Sequence, residues 1–527
     1  MGVGTGRVVT AAVAGFALHL AYPRPGWDLV GWVALAPILY LAVSAGSVRQ
    51  AMVEGWVGGG AFFVALLSWL THTLTAYTAL DGPVAVLVLA LLSAYLAVYW
   101  ALAAGATAAL GGALGSGAVW LAPAFWVTAE LGRTHLLSGF PWGLLGYVPY
   151  RRLSLIQGAA WTGVYGVSAL LVLVNAAIAY VALARTRGLA LLGLGAAGLV
   201  LSAASILGHA HLRAPSPSGA TLPVALIQGN IDQGVTANPT SARDRLRIYG
   251  DLSRRAAPGV RLVVWPEGAV PVDRGEEPAM LASLTRLAAT VDRPLLVGTS
   301  DAVPAGAPGE RSRSPFEASA SQPEARYLNT ALLVSGSGVS ARYDKMHLVP
   351  FGEYVPLKRL LLFVDAVATE LRDVSPGRTT TVFPLAGAPF GTVICYEVIF
   401  PSLFRRFVAE GATFMLNLTN DAWVGDSSGP LQHLAMVPLR AVENRVAVGR
   451  AANTGVSALV APSGAIVEAL PLGRRGSLHV EVPLSTGGTF YTRHGDLFAH
   501  AMSAVSATAL AAIAVPIRVA RLRRRGR

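Results

Sequence analysis

The sequence predicts a chain of two parts: a multi-pass α-helical membrane domain of about eight spans and an α/β globular domain. Three observations lead to this: long runs without charge, a sharp rise in charge density near residue 209, and alternating strand-like and helix-like runs beyond it. Of the 527 residues, 53% are hydrophobic and only 13% are charged, whereas a typical soluble domain carries about 25% charged residues. A wholly soluble fold is therefore not expected.

The first 212 residues supply seven of the predicted spans. Six stretches there contain no Asp, Glu, Lys or Arg. A spanning helix needs about 20 apolar residues, and in lipid its backbone must satisfy its own hydrogen bonds. The predicted helices are 7–22, 27–44, 53–73, 83–109, 117–133, 160–183 and 189–208, with an eighth at 497–517. The alternative for any one of them is a re-entrant or buried helix.

The positive charge lies beside the predicted spans rather than on a nucleic-acid-binding face. The net charge is +12, but residues 209–495 hold 27 basic and 24 acidic residues, and six arginines lie in the last ten residues. With the N-terminus inside, ten arginines are cytoplasmic and four fall in the opposite short loops, which agrees with the positive-inside rule. The globular domain is therefore expected outside the cytoplasmic membrane, and no nucleic acid is expected as a partner.

The middle of the chain has the pattern of an α/β domain. Apolar β-like runs alternate with helix-like stretches, which predicts a sheet covered by helices. The strands are expected at 224–228, 262–265, 294–298, 392–395 and 413–418, and the helices near 241–256, 276–291, 398–410 and 430–446. The segment 303–326, rich in Ser, Pro, Ala and Gly, is expected to be a mobile loop. The predicted domains are 1–212, 213–495 and 496–527.

Cofactor and metal signals are weak. Gly193, Gly195 and Gly198 match the dinucleotide pattern G-x-G-x-x-G, but they lie in an uncharged span with no strand before them. Close helix packing is the better interpretation. The ten histidines show no spacing typical of metal ligands, and one cysteine excludes a multi-cysteine site. We therefore predict no metal and no cofactor.

Three residues stand where chemistry is expected. Cys395 closes a strand-like run ahead of a helix-like stretch, where the helix dipole favours a thiolate. Glu267 ends another apolar strand with a carboxylate, which suits a general base. Lys345 lies beside apolar residues, in a chain that otherwise prefers arginine. Taken singly, each has an ordinary structural interpretation: a core cysteine, a strand-end carboxylate or a surface lysine.

Together these segments resemble the nitrilase superfamily, which uses a Glu–Lys–Cys triad in an α-β-β-α sandwich. With the predicted spans around it, the chain resembles the apolipoprotein N-acyltransferase family over nearly its whole length. Further matching stretches are Gln228–Ile231, Asn420–Trp423, Arg440–Arg445 and Ser138–Trp142. The sequence departs from the family pattern in two places: Ala237 stands where a tryptophan is usual, unless the local alignment is shifted, and the loop 303–326 is long.

The resemblance implies a two-step acyl transfer at the bacterial inner membrane, on its periplasmic side. Cys395 would take a fatty acyl chain from a membrane phospholipid as a thioester, with Glu267 as base. Lys345 would stabilise the oxyanion, together with a backbone N–H near Cys395 or Tyr396. The α-amine of the S-diacylglyceryl cysteine of an apolipoprotein would then accept the chain, which completes lipoprotein maturation. The partners would be these two substrates and the bilayer, and we expect a monomer.

The resemblance also suggests supporting residues. Glu353 would orient Lys345, Tyr396 and Glu397 would shape the pocket, and Trp423 would line the substrate site. The apolar run 360–364, preceded by Lys358 and Arg359, would form a membrane-facing lid within residues 350–375, or alternatively a short buried helix.

Two other functions stay open on the sequence. One is a membrane-tethered nitrilase-type amidase that acts on a small C–N substrate. The other is a transporter or scaffold that has lost catalysis. The complete set of three triad residues and the near-absence of charges within the spans favour the acyltransferase.

Overall fold

A computed structural model describes residues 4–78, 80–213, 219–232, 241–271, 277–304, 325–350, 352–354, 374–485 and 487–525. Three features of the sequence lie outside these residues. They are most of the predicted loop 303–326, the predicted lid at 358–364, and Ala237.

The N-terminal part and the C-terminus are helical. The α-helices are α1 (Thr5–His19), α2 (Ala36–Val43), α3 (Val48–Leu66), α4 (Trp69–Tyr77), α5 (Gly82–Leu114), α6 (Ala122–His135), α7 (Leu153–Ile156), α8 (Ala159–Leu183), α9 (Arg187–Arg213) and, at the end of the chain, α15 (Leu497–Arg525). Short 3₁₀ helices at Asp28–Trp32, Gly115–Leu121, Leu136–Ser138 and Leu145–Tyr147 connect some of them.

Within the described residues, four helical segments are long and apolar enough to cross a membrane. They are Gly82–Ser138, Ala159–Leu183, Arg187–Arg213 and Leu497–Ala514. A fifth is added if α3 and α4, which are bent by 55° at their junction, form one span. The first of these segments contains two of the predicted helices, because the 3₁₀ helix Gly115–Leu121 joins α5 to α6 without a break. The chain is therefore a membrane protein, while the count of eight spans stays a prediction.

The predicted helix at 27–44 is present as an apolar helical stretch, Asp28–Val43, but it is interrupted and shorter than a span. The structure has a 3₁₀ turn at Asp28–Trp32 and then α2, which at 8 residues is about 12 Å long. At the break, the backbone N–H groups of Leu35 and Ala36 donate to Asn175 Oδ1, at 2.9 Å each, and Asn175 Nδ2 donates to the Gly31 carbonyl. A buried side chain from α8 thus replaces the helical hydrogen bonds, which makes the break tolerable in an apolar environment.

Of the three glycines in the dinucleotide-like pattern, only one is used for close packing. A Cβ atom at Gly193 would lie 2.8 Å from the Trp120 ring, whereas Gly195 and Gly198 face open space. Helix α9 instead exposes leucines, and Leu191 is 68% exposed. The helix therefore packs against its neighbours along one narrow side and presents an apolar surface elsewhere.

The middle of the chain forms two sheets. The larger has the order β13-β1-β2-β4-β5-β6, with β3 also pairing with β4, and the smaller has the order β12-β11-β10-β9-β8-β7. The strands are β1 (Thr221–Gln228), β2 (Leu262–Val264), β3 (Val270–Pro271), β4 (Leu295–Pro304), β5 (Ala325–Ser335), β6 (Gly338–Asp344), β7 (Val382–Phe383), β8 (Phe390–Ile394), β9 (Phe414–Thr419), β10 (Val448–Ala452), β11 (Ser457–Val460), β12 (Ile466–Leu470) and β13 (Gly476–Pro483). The helices here are α10 (Ala242–Ala256), α11 (Glu277–Val291), α12 (Pro401–Ala409), α13 (Gly429–Asn444) and α14 (Phe490–His494).

The layers follow from alternation along the buried strands. In β1, Ala225 and Ile227 face a core shared with α10 and α11, whereas Val224 and Leu226 face the second sheet and its core. Helices α12 and α13 join that second core. The order is helix, sheet, sheet, helix, as the resemblance implied, and all five predicted strands and four predicted helices of this domain are confirmed.

Candidate active site

The three predicted triad residues each follow a strand, and the structure brings them together. Glu267 comes three residues after β2, Lys345 directly after β6, and Cys395 directly after β8. The carboxylate and the ammonium therefore come from the larger sheet and the thiol comes from the smaller one. The site lies where the two sheets meet at the ends of these strands.

Glu267 and Lys345 form a buried ion pair. Lys345 Nζ lies 3.2 Å from Glu267 Oε1 and 2.9 Å from Glu353 Oε1, and the lysine side chain is 1% exposed. Burial by itself lowers the pKa of Lys345, but the charges of the two glutamates outweigh it and raise this pKa well above the ordinary lysine value. The ammonium is therefore a fixed positive charge.

Asn329 bridges the two carboxylates. Its Nδ2 donates to Glu267 Oε1 at 2.8 Å and to Glu353 Oε1 at 2.9 Å. The second oxygens of these carboxylates are also held by backbone: Asn420 N–H donates to Glu267 Oε2 at 3.1 Å, and Val349 N–H donates to Glu353 Oε2 at 2.8 Å. Sequence reasoning missed Asn329, since a single asparagine in a strand carries no distinctive pattern.

Cys395 has a strained backbone. Its φ is +51°, which is the left-handed region that a residue with a Cβ rarely adopts, at a cost of about 1–3 kcal/mol. The residue begins a 3₁₀ helix, Cys395–Ile399, and is half-buried. The charges of Glu267 and Lys345 both act on the thiol.

The thiol is protonated at neutral pH, contrary to the thiolate that the helix dipole led us to expect. Burial and the negative charge of Glu267 raise the pKa of Cys395 well above the ordinary thiol value, and the opposing effect of Lys345 is smaller. The first residues after the nucleophile form a 3₁₀ turn rather than an α-helix. Attack by sulfur therefore requires a base that removes the proton.

This state predicts the pH dependence of alkylation. Since Cys395 is the only cysteine, iodoacetamide labelling reports on this thiol alone. The thiolate is the reactive form, and a raised pKa moves its formation to higher pH. We expect the labelling rate to keep rising beyond the pH at which a free cysteine peptide in the same detergent levels off. A curve that levels off below the peptide's would contradict the protonated thiol.

Glu397 connects the lysine loop to the nucleophile turn. Its Oε1 accepts from the Tyr343 hydroxyl and the backbone N–H groups of Met346 and His347, at 2.7–3.0 Å, while its Oε2 accepts from Ile394 N–H at 2.7 Å. Burial raises the pKa of Glu397 to about 7, against the lowering effect of these hydrogen bonds. The side chain thus holds the segment after Lys345 at a fixed distance from Cys395.

Tyr396 and Trp423 face the membrane domain. The Tyr396 ring is buried between Phe400 and Phe140, with centroid distances of 5.2 and 6.4 Å. Trp423 is 44% exposed and packs on Tyr77 of α4 at 4.8 Å. Tyr396 therefore lies beside the nucleophile, whereas Trp423 lies at the contact between α4 and the globular domain.

A polar network behind the nucleophile was also missed. Asn417, His433, Asp421 and Arg450 are buried, and Arg450 contacts the other three by hydrogen bonds. Burial raises the pKa of Asp421, but the Arg450 charge outweighs it and holds this pKa at about 2. In the part of the chain that is described, no group of three or more His, Cys, Asp or Glu side chains is placed to hold a metal ion.

Comparison with known proteins divides the chain as the structure does. Residues 14–177 match the model of the apolipoprotein N-acyltransferase N-terminal domain, and residues 223–491 match that of carbon-nitrogen hydrolases. An amidase of known structure from Nesterenkonia sp. is 23% identical, covers 55% of this chain and 98% of its own, and has a TM-score of 0.38.

Two full-length relatives carry one name. The apolipoprotein N-acyltransferase of Geobacter metallireducens is 39% identical over 515 residues, which is 95% of this chain and 94% of the relative. That of Azotobacter vinelandii is 35% identical over 508 residues, 92% of this chain and 90% of the relative. The similarity therefore includes both the membrane part and the globular part.

Proposed function

The chain belongs to the apolipoprotein N-acyltransferase family, and we propose that it transfers a fatty acyl chain from a phospholipid to an apolipoprotein through a thioester on Cys395. It is an N-acyltransferase and a membrane protein. The observation that carries the proposed mechanism is the buried Glu267–Lys345 pair beside a protonated thiol on a strained turn.

In the first half-reaction, Glu267 accepts the thiol proton as the sulfur of Cys395 attacks the ester carbonyl of the phospholipid. The carbonyl oxygen becomes an oxyanion, which the Lys345 ammonium stabilises together with a backbone N–H at Cys395 or Tyr396. The C–O bond then breaks, and Glu267 returns the proton to the leaving alkoxide. The products are a lysophospholipid and the acyl thioester.

In the second half-reaction, the α-amine of the S-diacylglyceryl cysteine attacks the thioester carbonyl. Glu267 accepts a proton from the amine and returns it to sulfur as the C–S bond breaks. The product is an amide, and the free thiol is restored. A carboxylate suits both steps because it alternates between base and acid.

The supporting residues fit distinct roles in this scheme. Glu353 holds Lys345 at 2.9 Å, which keeps the ammonium in place while Glu267 exchanges its proton. Glu397 fixes the lysine loop to the nucleophile turn, and Tyr396 forms the apolar wall toward the membrane domain. Trp423, at the α4 contact, would meet a substrate only at the outer edge of the site.

We also propose the finer membrane topology. The chain would have eight spans and a cytoplasmic N-terminus, with domain limits of 1–212, 213–495 and 496–527. This arrangement would put the catalytic domain on the periplasmic side of the inner membrane. The exposed leucines of α9 support lipid contact: Leu199 and Leu207 are 72% and 62% exposed. In this topology two spans would be broken. One would consist of the 3₁₀ turn Asp28–Trp32 and α2, and the other of α3 and α4. Both substrates are lipid-anchored, so the thiol would react close to the surface of the outer leaflet. The enzyme would act as a monomer.

The test is intact mass spectrometry of the purified protein after incubation with phosphatidylethanolamine. We expect a mass gain of one fatty acyl chain that hydroxylamine removes, and no such gain in the Cys395→Ser variant. A folded wild-type protein that gains no mass would overturn the phospholipid-donor mechanism. Turnover of a small amide by the same sample would then favour a membrane-tethered amidase.

A further inference from the structure

The carbonyl oxygen of Cys395 accepts two side-chain hydrogen bonds from behind the nucleophile. His433 Nε2 on α13 lies 3.2 Å from it, and Asn417 Nδ2 on β9 lies 3.4 Å from it. A residue with a Cβ at φ +51° keeps that conformation only where its surroundings hold it there. These two donors are placed to do so.

The contacts of His433 determine where its proton lies. Nδ1 has both an acceptor and a donor as neighbours: Asp421 Oδ1 at 3.2 Å and Arg450 Nη2 at 3.1 Å. Within the described residues, the one recorded partner of Nε2 is the Cys395 carbonyl, which can only accept. Nε2 therefore carries a hydrogen whether the ring is neutral or charged. Burial and the Arg450 charge lower the pKa of His433, which favours the neutral ring with Nδ1 accepting from Arg450.

Arg450 holds both donors at once. Its Nη1 donates to Asn417 Oδ1, and its Nη2 reaches His433 and donates to Asp421 Oδ2 at 2.8 Å. The guanidinium is fully buried. One rigid cation thus sets the orientation of both groups that contact the Cys395 carbonyl.

The residue before His433 connects the same helix to the membrane domain. Gln432 Oε1 accepts from the indole N–H groups of Trp142 and Trp69, at 2.8 and 3.2 Å, and its Nε2 donates to the Leu66 carbonyl at 3.1 Å. The Trp142 ring also lies 5.6 Å from the His433 ring. The membrane domain therefore packs directly against the group that supports the nucleophile.

We infer that His433 is a positioning residue for the acyl transfer: its Nε2–H fixes the Cys395 carbonyl and thereby the nucleophile turn. A hydrogen bond to a carbonyl also polarises that peptide group and strengthens its N–H as a donor. The N–H of this peptide belongs to Tyr396, one of the two assigned above to the oxyanion. The inference rests on the proposed thioester mechanism. It adds that contacts from the membrane domain, through Gln432 and His433, hold the turn that carries the reacting sulfur.

Two polar variants of the full-length protein separate this role from simple packing. In His433→Gln the amide can donate to Cys395 and accept from Arg450, because its nitrogen and oxygen are spaced like the two ring nitrogens. In His433→Asn the side chain can still contact Arg450 but is too short for the Cys395 carbonyl. We expect His433→Asn to form the acyl-enzyme about 10- to 100-fold more slowly than wild type, less than the loss of a direct oxyanion donor costs. His433→Gln should stay within about threefold of wild type.

The rates are measured as single-turnover mass gain with phosphatidylethanolamine, beside the melting temperature of each sample. Thr492→Val is the control, since it removes a buried 3.0 Å hydrogen bond to Asn444 at the far end of α13 and should lower stability without slowing acylation. Equal rates for His433→Asn and wild type, or equal slowing of both His433 variants, would overturn the inference. Failure of the wild type to acylate would overturn the proposed function, and this inference with it.

Discussion

Replacing Lys345 by methionine is expected to slow acyl-enzyme formation by about 10³-fold. The ammonium is the one charged group that the proposed mechanism places at the oxyanion, and removal of a single oxyanion donor costs about 10²–10³ in rate. Methionine keeps most of the side-chain volume and removes the charge. The measurement is single-turnover acylation of the variant by phosphatidylethanolamine, followed by intact mass.

A second effect adds to the first. Without Lys345, the Glu267 and Glu353 carboxylates share the Asn329 amide but no longer a cation. Two buried carboxylates close together then repel each other without a cation between them, which disturbs the position of the general base in addition to the loss of the oxyanion charge.

Arg342→Met is the matched control. Arg342 lies on β6, three residues before Lys345, and it also pairs with two carboxylates, Asp301 and Asp344, but it is partly exposed. We expect acylation within about threefold of wild type, because partly exposed pairs contribute little. Equal slowing in both variants would show that any paired cation on this strand matters, and would remove the argument for an oxyanion role of Lys345.

In the membrane part, the helices could be predicted from the sequence, but the breaks in them could not. Charge-free runs identify apolar helices because the cost of burying charge in lipid is local to each run. The break before α2 depends on Asn175, about 140 residues away, and the junction after α3 is capped by Gln432 from the globular domain. Neither partner can be assigned from the sequence near the break.

In the candidate site, too, some residues could be predicted from the sequence and others could not. Glu267 and Cys395 follow apolar strand-like runs, and Lys345 lies beside an apolar stretch. A charged or nucleophilic residue at such places is conspicuous. Asn329 and Arg450 are common residue types, and their roles arise only when the sheets pack. The strand β12 escaped prediction for a different reason: four of its five residues are exposed, so it lacks the apolar run that identifies a buried strand.

Because the thiol is protonated, a substitution of Glu267 distinguishes between two possible mechanisms. Burial and the Glu267 charge both raise the pKa of Cys395, so the same carboxylate that removes the proton also opposes the thiolate in the resting enzyme. If catalysis depended on a preformed thiolate, neutralising Glu267 would help it. If it depends on proton removal during attack, neutralising Glu267 abolishes the step despite a more acidic thiol. The two mechanisms therefore predict opposite changes in rate.

We expect Glu267→Gln to slow acylation by about 10³-fold, within the range for loss of a general base, while its iodoacetamide labelling curve moves to lower pH than wild type. Glu353→Gln is the comparison, since Glu353 pairs with Lys345 but is not among the charges that raise the thiol pKa. It should lose less activity and move the labelling curve less. A Glu267→Gln protein that labels at lower pH and acylates as fast as wild type would show that the thiolate alone suffices. One that labels at higher pH would contradict the charge interaction itself.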